Sequence, residues 1–254
     1  MTRILIHGAG RMARRVLAQA PGFENCEVIG LVSRSRPEDL SSTDWYKSLE
    51  EFKDDADLLI DFTLPAGTSD AAEWCARNDV ALLTGTTGLS DENIQTLKEA
   101  ARKVPLMWAP NLSFGVALTT RLVRQAAAAL GVSADAHIAE THHVHKVDAP
   151  SGTALALAAT VMEGRGERLA DLLEPGQLEK LSDRDEGELT FSSVREGEAI
   201  GEHTVSFRLA DEVIEITHKA LDRDVFAKGA LKAGEWLVRQ TPGYYSTSDW
   251  LSLD

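Results

Sequence analysis

Short, continuous apolar runs alternate with helical spacing over the first half of the chain. Arg3 to His7 is built on Ile4-Leu5-Ile6, and Gly8-Ala9-Gly10 separates it from a helical pattern over Met12 to Ala20. Further apolar runs span Glu27 to Ser33, Asp57 to Phe62, Val80 to Thr84 and Val104 to Trp108. Ala71 to Arg77 and Asp91 to Lys103 carry helical spacing, the second with Ser90 or Asp91 at its cap. The strands are apolar throughout rather than alternating. That pattern predicts a parallel sheet with helices on both faces.

The pattern changes after about residue 113. Val116 to Leu130 and Gly152 to Met162 read as helices, and Ala136 to Thr141 as a strand. Leu189 to Val194, His203 to Leu209 and Val213 to His218 read as strands. The last two flank Ala210-Asp211-Glu212, which predicts an antiparallel hairpin. Glu163 to Glu188 is polar and shows no period. Asp224 to Val238 is helical again and is expected to return to the first domain.

Gly8-Ala9-Gly10-Arg11-Met12-Ala13 is G-x-G-x-x-A, placed between a first strand and a first helix. Gly8 permits a tight turn, Gly10 lets a pyrophosphate approach the backbone, and Ala13 lets helix and strand pack closely. The helix start then offers free N–H groups to phosphates, with Arg11 as a charge-assisted partner. A glycine turn of any α/β protein is the bland alternative. The expected fold class is therefore α/β: a Rossmann-type doubly wound parallel sheet (residues 1–112) with a second α+β domain carrying a mixed or antiparallel sheet (113–221). A C-terminal helix segment (222–254) returns to the dinucleotide-binding domain.

An acid after the second strand would bind a ribose 2′-hydroxyl. Here that strand ends in Ser33-Arg34-Ser35-Arg36. Arginine and serine favour a 2′-phosphate, so NADPH is expected, with NADH as a second cofactor; solvated loop charges are the bland alternative for Arg34 and Arg36. Thr63 and Gly85-Thr86-Thr87-Gly88 close two further strands. Ligands of open parallel sheets sit beyond such strand ends, although ordinary turn chemistry explains each loop as well.

Charge sharpens the picture. A formal net charge of -14 over 254 residues argues against a nucleic-acid partner and would repel anionic ligands at long range. Anion sites must then gather local positive charge. Cys26 and Cys75 are too few for a disulfide framework and read as small core residues. The N-terminus has no basic n-region, and no apolar run reaches about 18 residues. A cytoplasmic protein that does not span a membrane is expected.

The densest chemistry is Glu140-Thr141-His142-His143-Val144-His145-Lys146-Val147-Asp148-Ala149-Pro150-Ser151-Gly152-Thr153-Ala154. Ser151 suits a helix N-cap, and Gly152, Thr153 and the next amide would present N–H donors to a carboxylate. Lys146 and a histidine could hold another anion. H-H-x-H could bind zinc, but Lys146 would repel the cation and no cysteine is near, so no metal is assigned. A nucleophile at Ser151 lacks its G-x-S-x-G elbow. Exposed loop histidines are the structural alternative, and an anion-binding acid–base site is favoured.

The block His142 to Ala154 resembles the hallmark of the dihydrodipicolinate reductase family. Gly10-Arg11-Met12, Asp61-Phe62-Thr63, Gly85-Thr86-Thr87-Gly88, Asn111-Leu112-Ser113-Phe114-Gly115-Val116, Gly201-Glu202-His203-Thr204 and Glu215-Ile216-Thr217-His218-Lys219-Ala220 match in the family's order. The resemblance implies reduction of a small cyclic dicarboxylate in diaminopimelate and lysine biosynthesis, in a homotetramer. It implies His142 as proton donor and acceptor and Lys146 as second proton donor. His143, Gly152 and Thr153 would bind the dicarboxylate, beside Ser151. His7 to Met12, Gly85 to Thr87 and Ala109, Pro110, Asn111 and Leu112 would touch the cofactor. His7 and Ala13 stand where the family usually has glycine, the acid after the second strand is missing, and the loop before Trp45 is short.

Two other readings fit the two-domain pattern. One is an amino-acid dehydrogenase acting, for example, on aspartate. The other is an NADPH-binding redox sensor, which has no need of the proton donors in the His142–Lys146 block.

Overall fold

The computed structural model describes residues 1–40, 43–167 and 186–251. The chain divides into two compact units, Met1–Phe114 with Asp224–Asp254, and Gly115–Arg223. Both crossings fall two residues beyond the boundaries at 112 and 221. Much of the polar stretch from Glu163 to Glu188, residues 168–185, lies outside the described residues.

In chain order the first unit begins β1 (Thr2–His7), α1 (Arg11–Gln19), β2 (Cys26–Val32), β3 (Trp45–Tyr46), β4 (Leu58–Asp61) and α2 (Pro65–Asn78). β5 (Ala81–Thr84), α3 (Asp91–Ala100) and β6 (Pro105–Trp108) follow. The second unit holds α4 (Phe114–Leu130), β7 (Asp135–His142), α5 (Gly152–Gly164), β8 (Leu189–Arg195), β9 (Glu202–Arg208) and β10 (Val213–Lys219). The chain then returns with α6 (Asp224–Leu237), β11 (Gly243–Tyr245) and α7 (Thr247–Trp250).

The first sheet has the order β11-β6-β5-β4-β1-β2-β3, and every pairing is parallel. The order reverses between β1 and β4, which is where ligands of doubly wound sheets bind. Period two sorts the core. Ile4, Ile6, Ile60 and Leu83 face one side, with Ala230 and Leu231 of α6. Leu5, Leu59, Leu82 and Leu106 face the other, with Ala71 of α2 and Leu97 of α3. Cys26 and Cys75 are buried and free, and burial pushes both thiols up, Cys26 to about 12.

The second sheet has the order β10-β9-β7-β8. β7 and β8 are parallel, while β9 runs antiparallel to β7 and β10, so the sheet is mixed. Ile138, Val205 and Phe207 pack against Val123 and Ala127 of α4 and Leu157 and Val161 of α5.

Three elements escape the sequence reading. β3 and β11 have two and three residues, too few to show a period, and α7 is a single turn. α2 also begins at Pro65, six residues before its apolar spacing. Proline suits the first helical position because its missing N–H has no partner there.

Candidate active site

In the first unit, the carboxyl ends of β1, β2, β3 and β4 border a cleft of about 740 Å³. Of the expected cofactor residues it takes in His7, Gly8, Ala9, Ser33, Arg34 and Thr63. Gly8 has φ +103°, and a Cβ there would lie 2.8 Å from the Phe62 carbonyl oxygen, so only glycine fits. Gly10 is the N-cap of α1 and has no side chain to cap the first amides, which leaves donors for a phosphate. Ala13 is fully buried in the helix–sheet contact. This cradle fits a dinucleotide.

The expected contacts divide by burial. Arg11, Pro110 and Thr87 are exposed, and Met12, Gly85 and Asn111 are half-buried. Ala109 and Leu112 place their side chains in the core, which leaves only backbone to offer. Arg36 is exposed and does not line the cleft, unlike Lys47, which the sequence reading missed.

Thr63 and Thr86, both expected at the cofactor, donate their hydroxyls to the buried Asp61, at 2.6 and 3.1 Å. Thr68 and Thr84 donate at 2.7 Å each, and His7 Nδ1 lies 3.1 Å away. Burial pushes the Asp61 carboxyl up, but these partners outweigh it and hold it below the usual range. Asp61 thus ties together the ends of β1, β4 and β5 and the start of α2. His7, the departure from glycine, is part of that tie.

In the second unit, period two along β7 puts Ala136, Ile138, Glu140 and His142 on the buried face. The register pairs Glu140 with His203 of β9. Glu140 Oε1 accepts from the Ser151 amide at 3.1 Å and from Arg195 Nη2 at 3.0 Å. Its Oε2 lies 3.3 Å from His142 Nδ1 and 3.7 Å from His203 Nε2. Burial pushes Glu140 up, but Ser151, Ser193 and Arg195 outweigh it and keep it ionised. Burial lowers His142; Glu140 opposes this, and Lys146 and Arg195 add to it. Burial, with His142 beside it, lowers His203 to about 4.

Arg195 also fixes the loop after β7. Its guanidinium donates to the carbonyls of Lys146 at 3.2 Å and Asp148 at 2.5 Å. Lys146 Nζ lies 2.7 Å from both oxygens of Asp148, which is therefore lowered. The cations thus come paired: Arg195 with Glu140, and Lys146 with Asp148. Gly201 gives His142 room, since a Cβ there would come within 3.1 Å of Nε2.

Ser151 sits under the site rather than at its opening. It is buried, and its hydroxyl caps α5 by accepting from the Ala154 amide at 3.2 Å and meets His203 Nε2 at 3.1 Å. Gly152 is exposed and faces open space, and Thr153 and His143 are half-buried. The described residues with metal-ligand spacing are Glu140, His142 and His203, not the H-H-x-H set, and Arg195 already matches that carboxylate.

The sequence reading gave no role to Glu140, His203 or Arg195. The first two lie inside the His142 block's flank and the Gly201–Thr204 motif, and the two-residue spacing of Glu140 and His142 in a strand is the signal that pairs them. Arg195 had none.

The description "Dihydrodipicolinate reductase, N-terminus" matches residues 2–112, and its C-terminal counterpart matches residues 115–251. The chain belongs to the dihydrodipicolinate reductase family. A 4-hydroxy-tetrahydrodipicolinate reductase of Alkalilimnicola ehrlichii is 40% identical over 99% of this chain and 99% of its own. A dipicolinate-bound dihydrodipicolinate reductase of Paenisporosarcina sp. TG-14 superposes with TM-score 0.79 at 25% identity, covering 97% of each chain. Aspartate dehydrogenase of Thermotoga maritima reaches TM-score 0.52 at 12% identity over 95% of this chain and 98% of its own. That likeness shows the fold alone.

Proposed function

We propose that this chain catalyses the NADPH-dependent reduction of 4-hydroxy-tetrahydrodipicolinate to tetrahydrodipicolinate in diaminopimelate and lysine biosynthesis. Family membership supports a nicotinamide-dependent reductase of this substrate. One observation carries the assignment to these residues: buried Glu140 holds His142, the start of α5 and, through Arg195, the loop of Lys146 in one cluster.

When bound, the nicotinamide would supply hydride to the ring, and the 4-hydroxyl would leave as water. His142 serves as proton donor and acceptor, and Lys146 as second proton donor and as the cation facing the charge that develops. His143, Gly152 and Thr153 bind the two carboxylates, with Ser151 as the cap that aims the α5 amides. His7 to Met12, Thr63, Gly85 to Thr87 and Ala109 to Leu112 hold the cofactor. Ser33, Arg34 and Arg36 present no carboxylate to a 2′-phosphate, which favours NADPH over NADH.

The reading extends to a cytoplasmic homotetramer. The second sheet carries α4 and α5 on one face, while Val194 and Val213 stand exposed on the other. Sedimentation checks the oligomer.

The test is purified protein with freshly generated substrate, followed by NADPH absorbance. Turnover that needs both substrate and cofactor is expected. No turnover, or oxidation of a free amino acid with release of ammonia, would overturn the reading.

A further inference from the structure

The short strand β3 brings a cation to the edge where a dinucleotide's ribose would lie. Its register with β2 pairs Leu31 with Trp45 and Val32 with Tyr46. The next residues, Ser33 and Lys47, therefore leave the two strand ends side by side. The Ser33 amide donates to the Tyr46 carbonyl at 3.1 Å, and Trp45 Nε1 donates to Ser33 Oγ at 3.0 Å. The Lys47 amide donates to Glu51 Oε2 at 2.9 Å, so the main chain is held at this point.

Lys47 and Arg34 line the same cleft as Gly8. Among the described residues neither has an ion-pair partner. The acids Glu50 and Glu73 on that cleft both face Arg77, at 3.8 and 3.6 Å. Asp70 is the remaining acid, on α2 rather than on the β2–β3 edge. In a chain of net charge -14, two cations without acidic partners on one edge form a local anion site. A ribose 2′-hydroxyl needs no such pair, whereas a 2′-phosphate with close to two negative charges does.

We infer that Lys47 is a specificity-determining residue that, with Arg34, grips the 2′-phosphate of NADPH from the second of two adjacent strand ends. The inference rests on the NADPH reading above.

Calorimetry with 2′,5′-ADP and 5′-AMP tests it on the full chain. Wild type is expected to prefer 2′,5′-ADP, and Lys47→Gln to lose about tenfold of that preference, the scale of one charge-assisted bond. Lys47→Arg should retain the preference, and the NADPH-to-NADH ratio of kcat/KM should fall in parallel for Lys47→Gln. Wild type that binds both nucleotides equally overturns the NADPH reading and this inference together. Wild type that discriminates, with a folded Lys47→Gln that discriminates equally well, overturns the inference alone.

Discussion

His142 Nδ1 lies 3.3 Å from Oε2 of Glu140, two residues earlier on the same face of β7. The carboxylate favours a protonated imidazole, against burial and the nearby Lys146 and Arg195. Removing the charge while keeping the shape, as in Glu140→Gln, lowers His142 further. The alkaline limb of the kcat/KM profile, where the His142 donor gives up its proton, should move to lower pH, and activity at pH 7 should fall about tenfold or more. A profile superimposable on wild type would show that Glu140 only supports the fold.

Lys146 should answer differently from its neighbour. Lys146→Ala should cost about 10² or more in rate if it donates a proton. A loss below about tenfold would remove that role. Asp148 pairs with the ammonium proposed to face the substrate's negative charge, so Asp148→Asn should tighten dipicolinate binding by a few fold. Titration calorimetry reads this, and weaker binding in Asp148→Asn would contradict the competition.

His203 makes stability pH-dependent. Its folded value is about 4 against an ordinary 6.5, so the unfolded chain takes up a proton between those values that the folded chain refuses. Stability is therefore lost as pH falls from about 6.5 to 4, by on the order of 3 kcal/mol. His142 and His218, also lowered, act in the same direction. Thermal melts of His203→Gln should decline less steeply over this range than wild type. Parallel curves would mean that the proton uptake lies elsewhere.

Gly229 on α6 packs against Leu112, one of the residues proposed to hold the cofactor. A Cβ there would stand 1.7 Å from the Leu112 carbonyl oxygen, and backbone cannot swing aside. Overpacking of this kind costs typically about 1–3 kcal/mol. Gly229→Ala should lower Tm by about 5 °C, at roughly 2–4 °C per kcal/mol, and weaken NADPH binding through Leu112. An unchanged Tm would show that α6 shifts freely.

The sequence by itself determined the alternation of strand and helix in the first unit, the glycine turn after β1 and the return of α6. These rest on local rules: apolar runs, helical period, and a backbone angle at Gly8 that only glycine adopts freely. It also marked the His142–Lys146 block, because its residue types are dense along the chain. Tertiary structure decided the rest. Glu140, His203 and Arg195 lie far apart in sequence and meet only through the registers of β7, β8 and β9. Asp61 draws in His7, Thr84 and Thr86 only because β1, β4 and β5 end together. Lys47 reaches the cleft just after a strand two residues long, which no period can reveal. Charge partners and hydroxyl donors are chosen by distance in space, and distance in space is set by strand pairing.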